Sequence, residues 1–417
     1  MRDYFDEIIG YEDVKLELRR IRDYLLNKEK YELLGAKPIK GILLQGIPGT
    51  GKTTMALAFI KSCERKSYIC RKDKADGDFL KKIVKIFEEA KNNQPSVILL
   101  DDIDKYSSVC DRNVDTEEFV TVQTCIDELG AADVFVIATS NSRDKLPNSL
   151  LRAGRLGKTY EIGVPYGKDA ELIVAHYLQD KKVKNINAKE VANILEGRSC
   201  ATLESVINDA ALLAGYEGKD YIEMDDMVEV CLNQIFKAPK YSRLNDEVTR
   251  KRVACHEAGH LVVAELLKPE SVVLSSIRNR GRSLSGLAVV NTPLYERVLS
   301  EYYYQEIKIS LASKAATEIV FGETDTGVAN DLEYALDMAR SIVCIFCTYG
   351  FRNYMSDNIS KENANNSIAM LLEQEYAETK KMLVQNRGFL DAVMNAFSKK
   401  DTLLMSDIKE IKEKIKL

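Results

Sequence analysis

The sequence predicts an α/β domain with a parallel sheet, then a small helical domain, then a mostly α-helical domain carrying a metal site. Three observations predict it. Apolar, strand-like runs alternate with helical patterns up to about residue 167. GIPGTGKT (46–53) fits GxxxxGK[ST] directly after one such run. HEAGH (256–260) sets two of the chain's three histidines four apart.

The 417 residues are more than one ordinary domain needs, and 45% hydrophobic content supports sizeable cores. A net charge of -5 and a pI near 5.6 argue against a nucleic-acid partner, since phosphate contacts need clustered Lys and Arg. No apolar run approaches the ~18 residues of a membrane span, so a cytoplasmic protein is expected, touching a membrane only if the native chain carries an anchor. The nine cysteines show no CxxC pairs, which suits a reducing compartment.

Taken in order, GILLQ (41–45), VILLD (97–101), VFVIAT (134–139) and YEIGV (160–164) read as strands buried on both faces, as parallel sheets require. From about 167 to 236 strand signals vanish, and ATLESVINDAALLAGY (201–216) has helical periodicity. KAPKYSRLND (237–246) reads as a linker. Beyond it only SVVLSSI (271–277) and GLAVV (286–290) look like strands. The predicted domains are 1–167, 168–240 and 241–417.

The glycine-rich loop predicts ATP binding. Gly46, Ile47, Pro48, Gly49, Thr50 and Gly51 would turn backbone N–H groups toward phosphate oxygens. Lys52 would reach the β/γ-phosphates, Thr53 would ligate Mg²⁺, and Thr54, next on the helix start, is also expected to bind the nucleotide. Asp101 ends a buried strand 49 residues after Lys52, placed for the Mg²⁺ shell. Asp102 would orient the attacking water, and Asn141, ending the next strand, could help position it. Arg152 and Arg155 in LLRAGR would complete a neighbouring subunit's pocket.

RVACHEAGHLVVAELL (252–267) reads as an amphipathic helix. His256 and His260 lie one turn apart on one face and can share a Zn²⁺ ion. Glu257 can deprotonate a water that the ion activates. The third ligand has three candidates on chemistry alone: Glu265, Glu318 and Asp331.

The order of phosphate loop, acidic strand end, Asn strand end, RxGR, helical segment, CHEAGH (255–260) and TGVANDLEYALDMAR (326–340) resembles the FtsH family of AAA+ zinc proteases. The resemblance runs from about residue 5 to 350 and includes NDAALLA (208–214). It implies an α/β P-loop AAA+ ATPase with a helical lid, followed by an HExxH zinc peptidase. It also implies a homohexameric ring that hydrolyses ATP between subunits and cleaves unfolded or misfolded polypeptides. By resemblance Asp331 becomes the third zinc ligand, Glu257 the general base, Arg152 and Arg155 fingers acting in trans, and Glu318 a supporting acid.

Three departures stand out. Asp101-Asp102 replaces the family's Asp-Glu, one methylene shorter at the water-orienting position. Ala75-Asp76-Gly77 stands where the family has its substrate-gripping Phe-Val-Gly. The family's membrane segments are not in the sequence. Two other functions are therefore weighed: a weakly hydrolysing ring whose peptidase cuts already unfolded chains, and a non-proteolytic remodelling protein with a structural zinc. A base beside the first ligand argues against the latter.

Overall fold

The computed structural model describes residues 3–72, 78–107, 116–240, 246–279, 285–290, 299–351 and 358–416. The chain divides into two compact units, 1–183 with 195–209, and 184–194 with 210–417. The helical stretch 168–240 is shared between them. The residues Ala75, Asp76 and Gly77 lie outside the described residues.

The first unit is built on a five-stranded parallel sheet in the order β2-β3-β4-β1-β5. Its strands are β1 (Gly41–Gln45), β2 (Lys66–Cys70), β3 (Ser96–Leu100), β4 (Val134–Ser140) and β5 (Lys158–Glu161). The central three are the apolar runs, and their alternating side chains feed two cores. Leu43, Ile98, Leu100 and Val136 face Phe79, Phe87 and Phe119 on one side. Ile42, Leu44, Val97 and Phe135 face Leu18, Met55 and Phe59 on the other.

The outer strands differ from expectation. YEIGV was expected to be buried on both faces, but β5 covers Lys158–Glu161 at the sheet edge and is partly exposed. At the other edge β2, KSYIC, is mostly solvated and carries no long apolar run to reveal it. An edge strand has one neighbour and needs less apolar surface.

In the second unit the helix Glu247–Leu267 starts at Asp246, whose carboxylate accepts from the Val248 and Thr249 amides. It packs on the helix Ser300–Phe321, which ends at Gly322 in the left-handed conformation. A three-stranded antiparallel sheet lies alongside in the order β7-β6-β8, with β6 Val272–Asn279, β7 Ser285–Val290 and β8 Thr402–Leu404. The third strand, only three residues long, escapes a periodicity reading. Phe389, Val393 and Phe397 from the helix Arg387–Lys399 complete the core around Leu261 and Val262.

Candidate functional sites

The nucleotide loop joins β1 to the helix Lys52–Ser62. Gly46 must be glycine: a Cβ there would lie 2.0 Å from the Ile162 carbonyl oxygen. Gly51 caps the helix at φ +93, a conformation that costs other residues about 1 kcal/mol or more. Lys52 is buried and donates to the Ile47 carbonyl at 2.8 Å. Burial lowers its pKa, opposed by the carboxylates of Asp102, Asp104 and Asp101.

Asp101 is buried and takes hydrogen bonds on both oxygens. Oδ1 accepts from Thr53 at 2.9 Å and Thr139 at 2.7 Å. Oδ2 accepts from Arg71 Nε at 2.9 Å and from its second guanidinium nitrogen. Burial raises the carboxyl's pKa, but the donors Arg71, Thr139 and Thr53 outweigh it and hold it below the usual range. The pairing of Thr53 with Asp101 fits a magnesium site, with the hydroxyl and the carboxylate side by side.

Asp102 adopts a left-handed backbone conformation, and its amide donates to the Thr139 hydroxyl at 2.8 Å. Its carboxylate receives Lys105 at 2.7 Å and the Asn141 amide at 3.3 Å. The Asn141 backbone amide donates to buried Asp104 at 2.9 Å. Sequence reading missed Asp104, Thr139, Lys105 and Arg71. Asp104 and Thr139 could have been found, since they sit within VILLDDID and VFVIATSN. Arg71 had no signal.

The two arginines are placed differently. Arg152 is exposed. Arg155 makes a two-pronged ion pair with Asp127, at 3.1 and 2.7 Å, and also donates to Gln123 and the Ser149 carbonyl. A cavity of about 210 Å³ borders Thr50, Gly51 and Thr54, with Tyr11, His176 and Cys200 in its wall. Its size and its place beside the loop suit a nucleotide base, and none of those three side chains was singled out from sequence.

In the second unit His256, His260 and Asp331 converge. The two Nε2 atoms are 3.2 Å apart, and Asp331 Oδ2 lies 3.2 Å from His256 Nε2 and 3.3 Å from His260 Nε2. A tetrahedral zinc with bonds of 2.0–2.1 Å separates its ligands by about 3.3 Å, so the residues fit the ion. Among the described residues no other such trio of His, Cys, Asp and Glu occurs.

Two of the three ligands, His260 and Asp331, are held from behind. His260 Nδ1 bonds the Ile309 carbonyl at 2.7 Å, leaving Nε2 for the metal. Ser313 donates to Asp331 Oδ2 at 2.9 Å. Both contacts need the helix Ser300–Phe321 close by, and Gly259 permits that. A Cβ at 259 would sit 2.6 Å from the Ala312 carbonyl oxygen and 2.8 Å from the Ala316 Cβ.

Burial alone would lower the pKa of His260 and raise that of Asp331. The Asp331 carboxylate overcomes this and pushes His260 up to about 9, while His256 and then His260 hold Asp331 well below the usual carboxylate range.

The other two candidate ligands are engaged elsewhere. Glu265 is buried and accepts from the Glu270 and Val272 amides and from Lys412, each at 3.1 Å. Glu318 receives Lys314, Tyr376 at 2.6 Å and Lys380 at 3.1 Å. Those donors hold its pKa down at about 2.

Glu257 is buried, with Oε1 3.9 Å from His256 Nε2. It lies against Gly286 of β7, where a Cβ would fall 2.1 Å from that Oε1. This contact too was invisible in sequence. The arrangement can present a carboxylate base beside a three-ligand metal with further coordination open to a reactant.

Residues 42–164 match the model of the ATPase family associated with various cellular activities (AAA), and residues 243–353 match Peptidase family M41. Similar relatives include an ATP-dependent zinc metalloprotease FtsH of Thermobaculum terrenum, 30% identical over 98% of this chain and 68% of the relative. Two more bear that name. One, of Thermoanaerobacter, is 29% identical over 98% of this chain and 82% of its own length. The other, of Methylacidiphilum infernorum, is 29% identical over 99% and 70%.

Proposed function

The chain belongs to the FtsH family and is an ATP-dependent zinc metalloprotease, and on that premise we propose how its residues divide the work. His256, His260 and Asp331 hold Zn²⁺, which supplies Lewis acidity for attack on a peptide carbonyl. Glu257 takes the proton of the attacking water and returns it to the leaving amine. Lys52, Thr53 and Asp101 serve Mg²⁺ and ATP, and Asp102 with Asn141 orients the hydrolytic water. Arg152 reaches a neighbour's nucleotide, while Arg155, tied to Asp127, fixes the loop that carries it.

The observation that carries this reading is the triangle of His256, His260 and Asp331 with 3.2–3.3 Å edges beside a buried Glu257. The substrates we propose are unfolded or misfolded polypeptides, and the assembly a homohexameric ring. Among the described residues no helix is long and apolar enough to cross a membrane. We place the enzyme on the cytosolic side, where a reducing environment suits its eight described cysteines.

A second reading, a weak motor feeding a competent peptidase, is favoured by Asp102. Lys105 donates to Oδ2 of its shortened carboxylate at 2.7 Å and competes with water for that oxygen. Casein cleavage by the pure protein with ATP, with a non-hydrolysable analogue and with a zinc chelator tests both readings. Cleavage needs zinc in both. Equal rates with ATP and the analogue select the weak motor. Glu257→Gln is expected to keep zinc and stop cleavage, and normal cleavage by that variant would remove Glu257 from the chemistry.

A further inference from the structure

The carboxylate of Asp101 is saturated. Thr53 and Thr139 fill Oδ1, and the Arg71 fork fills Oδ2 through Nε at 2.9 Å and a second nitrogen. This is the acid read as the magnesium-side carboxylate. For it to hold the ion or a water of the ion's shell, one donor has to leave. Thr53 is itself a magnesium ligand in that reading. Thr139 is wholly buried in β4 and also accepts the Asp102 amide, so it is fixed. Arg71 remains. Its side chain is 53% exposed, against 1% for Asp101, so it is the donor that solvent reaches.

Charge points the same way. With Arg71 in place, Asp101 is already neutralised, and a divalent cation arriving there meets a guanidinium as well as Lys52.

We propose that Arg71 is a built-in competitor of magnesium: it latches Asp101 in the nucleotide-free chain, and Mg²⁺ with nucleotide must displace it. The latch sets the magnesium concentration at which the site loads. It rests on the reading of Asp101 as the magnesium-side acid.

The test is nucleotide binding by the full chain. A fluorescent ADP analogue is held at fixed concentration while MgCl₂ is varied, which requires no turnover. Arg71→Gln is expected to lower the half-saturating magnesium concentration about threefold to tenfold, the range for a half-exposed partner of a buried carboxylate. Affinity at saturating magnesium stays within about twofold, and Arg71→Lys, which keeps charge but loses the fork, falls between. An unchanged or raised magnesium requirement in Arg71→Gln overturns the proposal. So does weakened binding at saturating magnesium, which would make Arg71 a phosphate contact. Asp101→Asn separates this from the underlying reading. If Asp101→Asn leaves the magnesium dependence intact, the reading of Asp101 fails. If it abolishes that dependence while Arg71→Gln shifts nothing, only the latch fails.

Discussion

Replacing Gly286 with alanine adds a single methyl group, and the geometry assigns it a specific consequence. The new Cβ would stand 2.1, 2.5 and 2.7 Å from Oε1, Cδ and Cγ of Glu257, where ordinary contact begins at 3.4 Å. Either the carboxylate or β7 must yield by about 1.3 Å at the closest pair. A carboxylate at a solvated surface could rotate away, but Glu257 is only 3% exposed. The backbone at φ +85 adds strain of about 1–2 kcal/mol for any residue with a Cβ. A misplacement of about 1 Å at a reacting group costs on the order of 10²-fold in rate, or ~2.7 kcal/mol of barrier. We therefore expect Gly286→Ala to lower kcat/KM for a fluorogenic peptide about a hundredfold. Zinc is expected to stay near one ion per chain, because the three atoms nearest the new methyl all belong to Glu257, and ATP hydrolysis to be unchanged. Wild-type peptide cleavage by Gly286→Ala would refute the reasoning. Zinc loss in step with activity would refute it too, since the damage would then lie in the ligands rather than the base.

Metal analysis of two variants checks the ligand set: Asp331→Ala is expected to lose zinc and Glu318→Ala to keep it, and the opposite pattern would reverse the assignment. Glu318 also makes a pH prediction. Its pKa is held at about 2 by Lys314, Tyr376 and Lys380, so it contributes stability above its unfolded value of about 4.5 and loses it as pH falls toward 2. Urea unfolding of zinc-free protein should show a flatter loss of stability across that window in Glu318→Gln than in wild type, and parallel curves would deny the contribution. At the motor, Asp102→Glu restores a methylene and should raise ATP turnover severalfold with little change in nucleotide affinity, as should Lys105→Ala, which frees the carboxylate; steady-state ATPase assays with binding controls decide it.

Much of this molecule was legible in its residues because the informative signals are local. GIPGTGKT needs only its own strand, turn and helix to mean phosphate binding, and those lie within some twenty consecutive residues. His256 and His260 share a face by helical periodicity alone, and β1, β3 and β4 announce themselves by being apolar throughout. What the sequence could not decide depends on contacts between segments distant in the chain. Glu265, Glu318 and Asp331 are equivalent as ligands on paper. Two find other partners, Lys412 on a far helix and the pair Tyr376 and Lys380, while Ser313 and the turn before 329 bring Asp331 to the histidines. Arg71 and Gly286 carry no motif, yet one sits on Asp101 thirty residues away and the other against Glu257. Arg152 and Arg155 look alike in LLRAGR, and only the position of Asp127 on a neighbouring helix separates an exposed guanidinium from an anchored one. Periodicity and spacing determine which face a side chain takes; which partner waits there is set by packing, because each partner comes from a segment whose approach is fixed by the whole core.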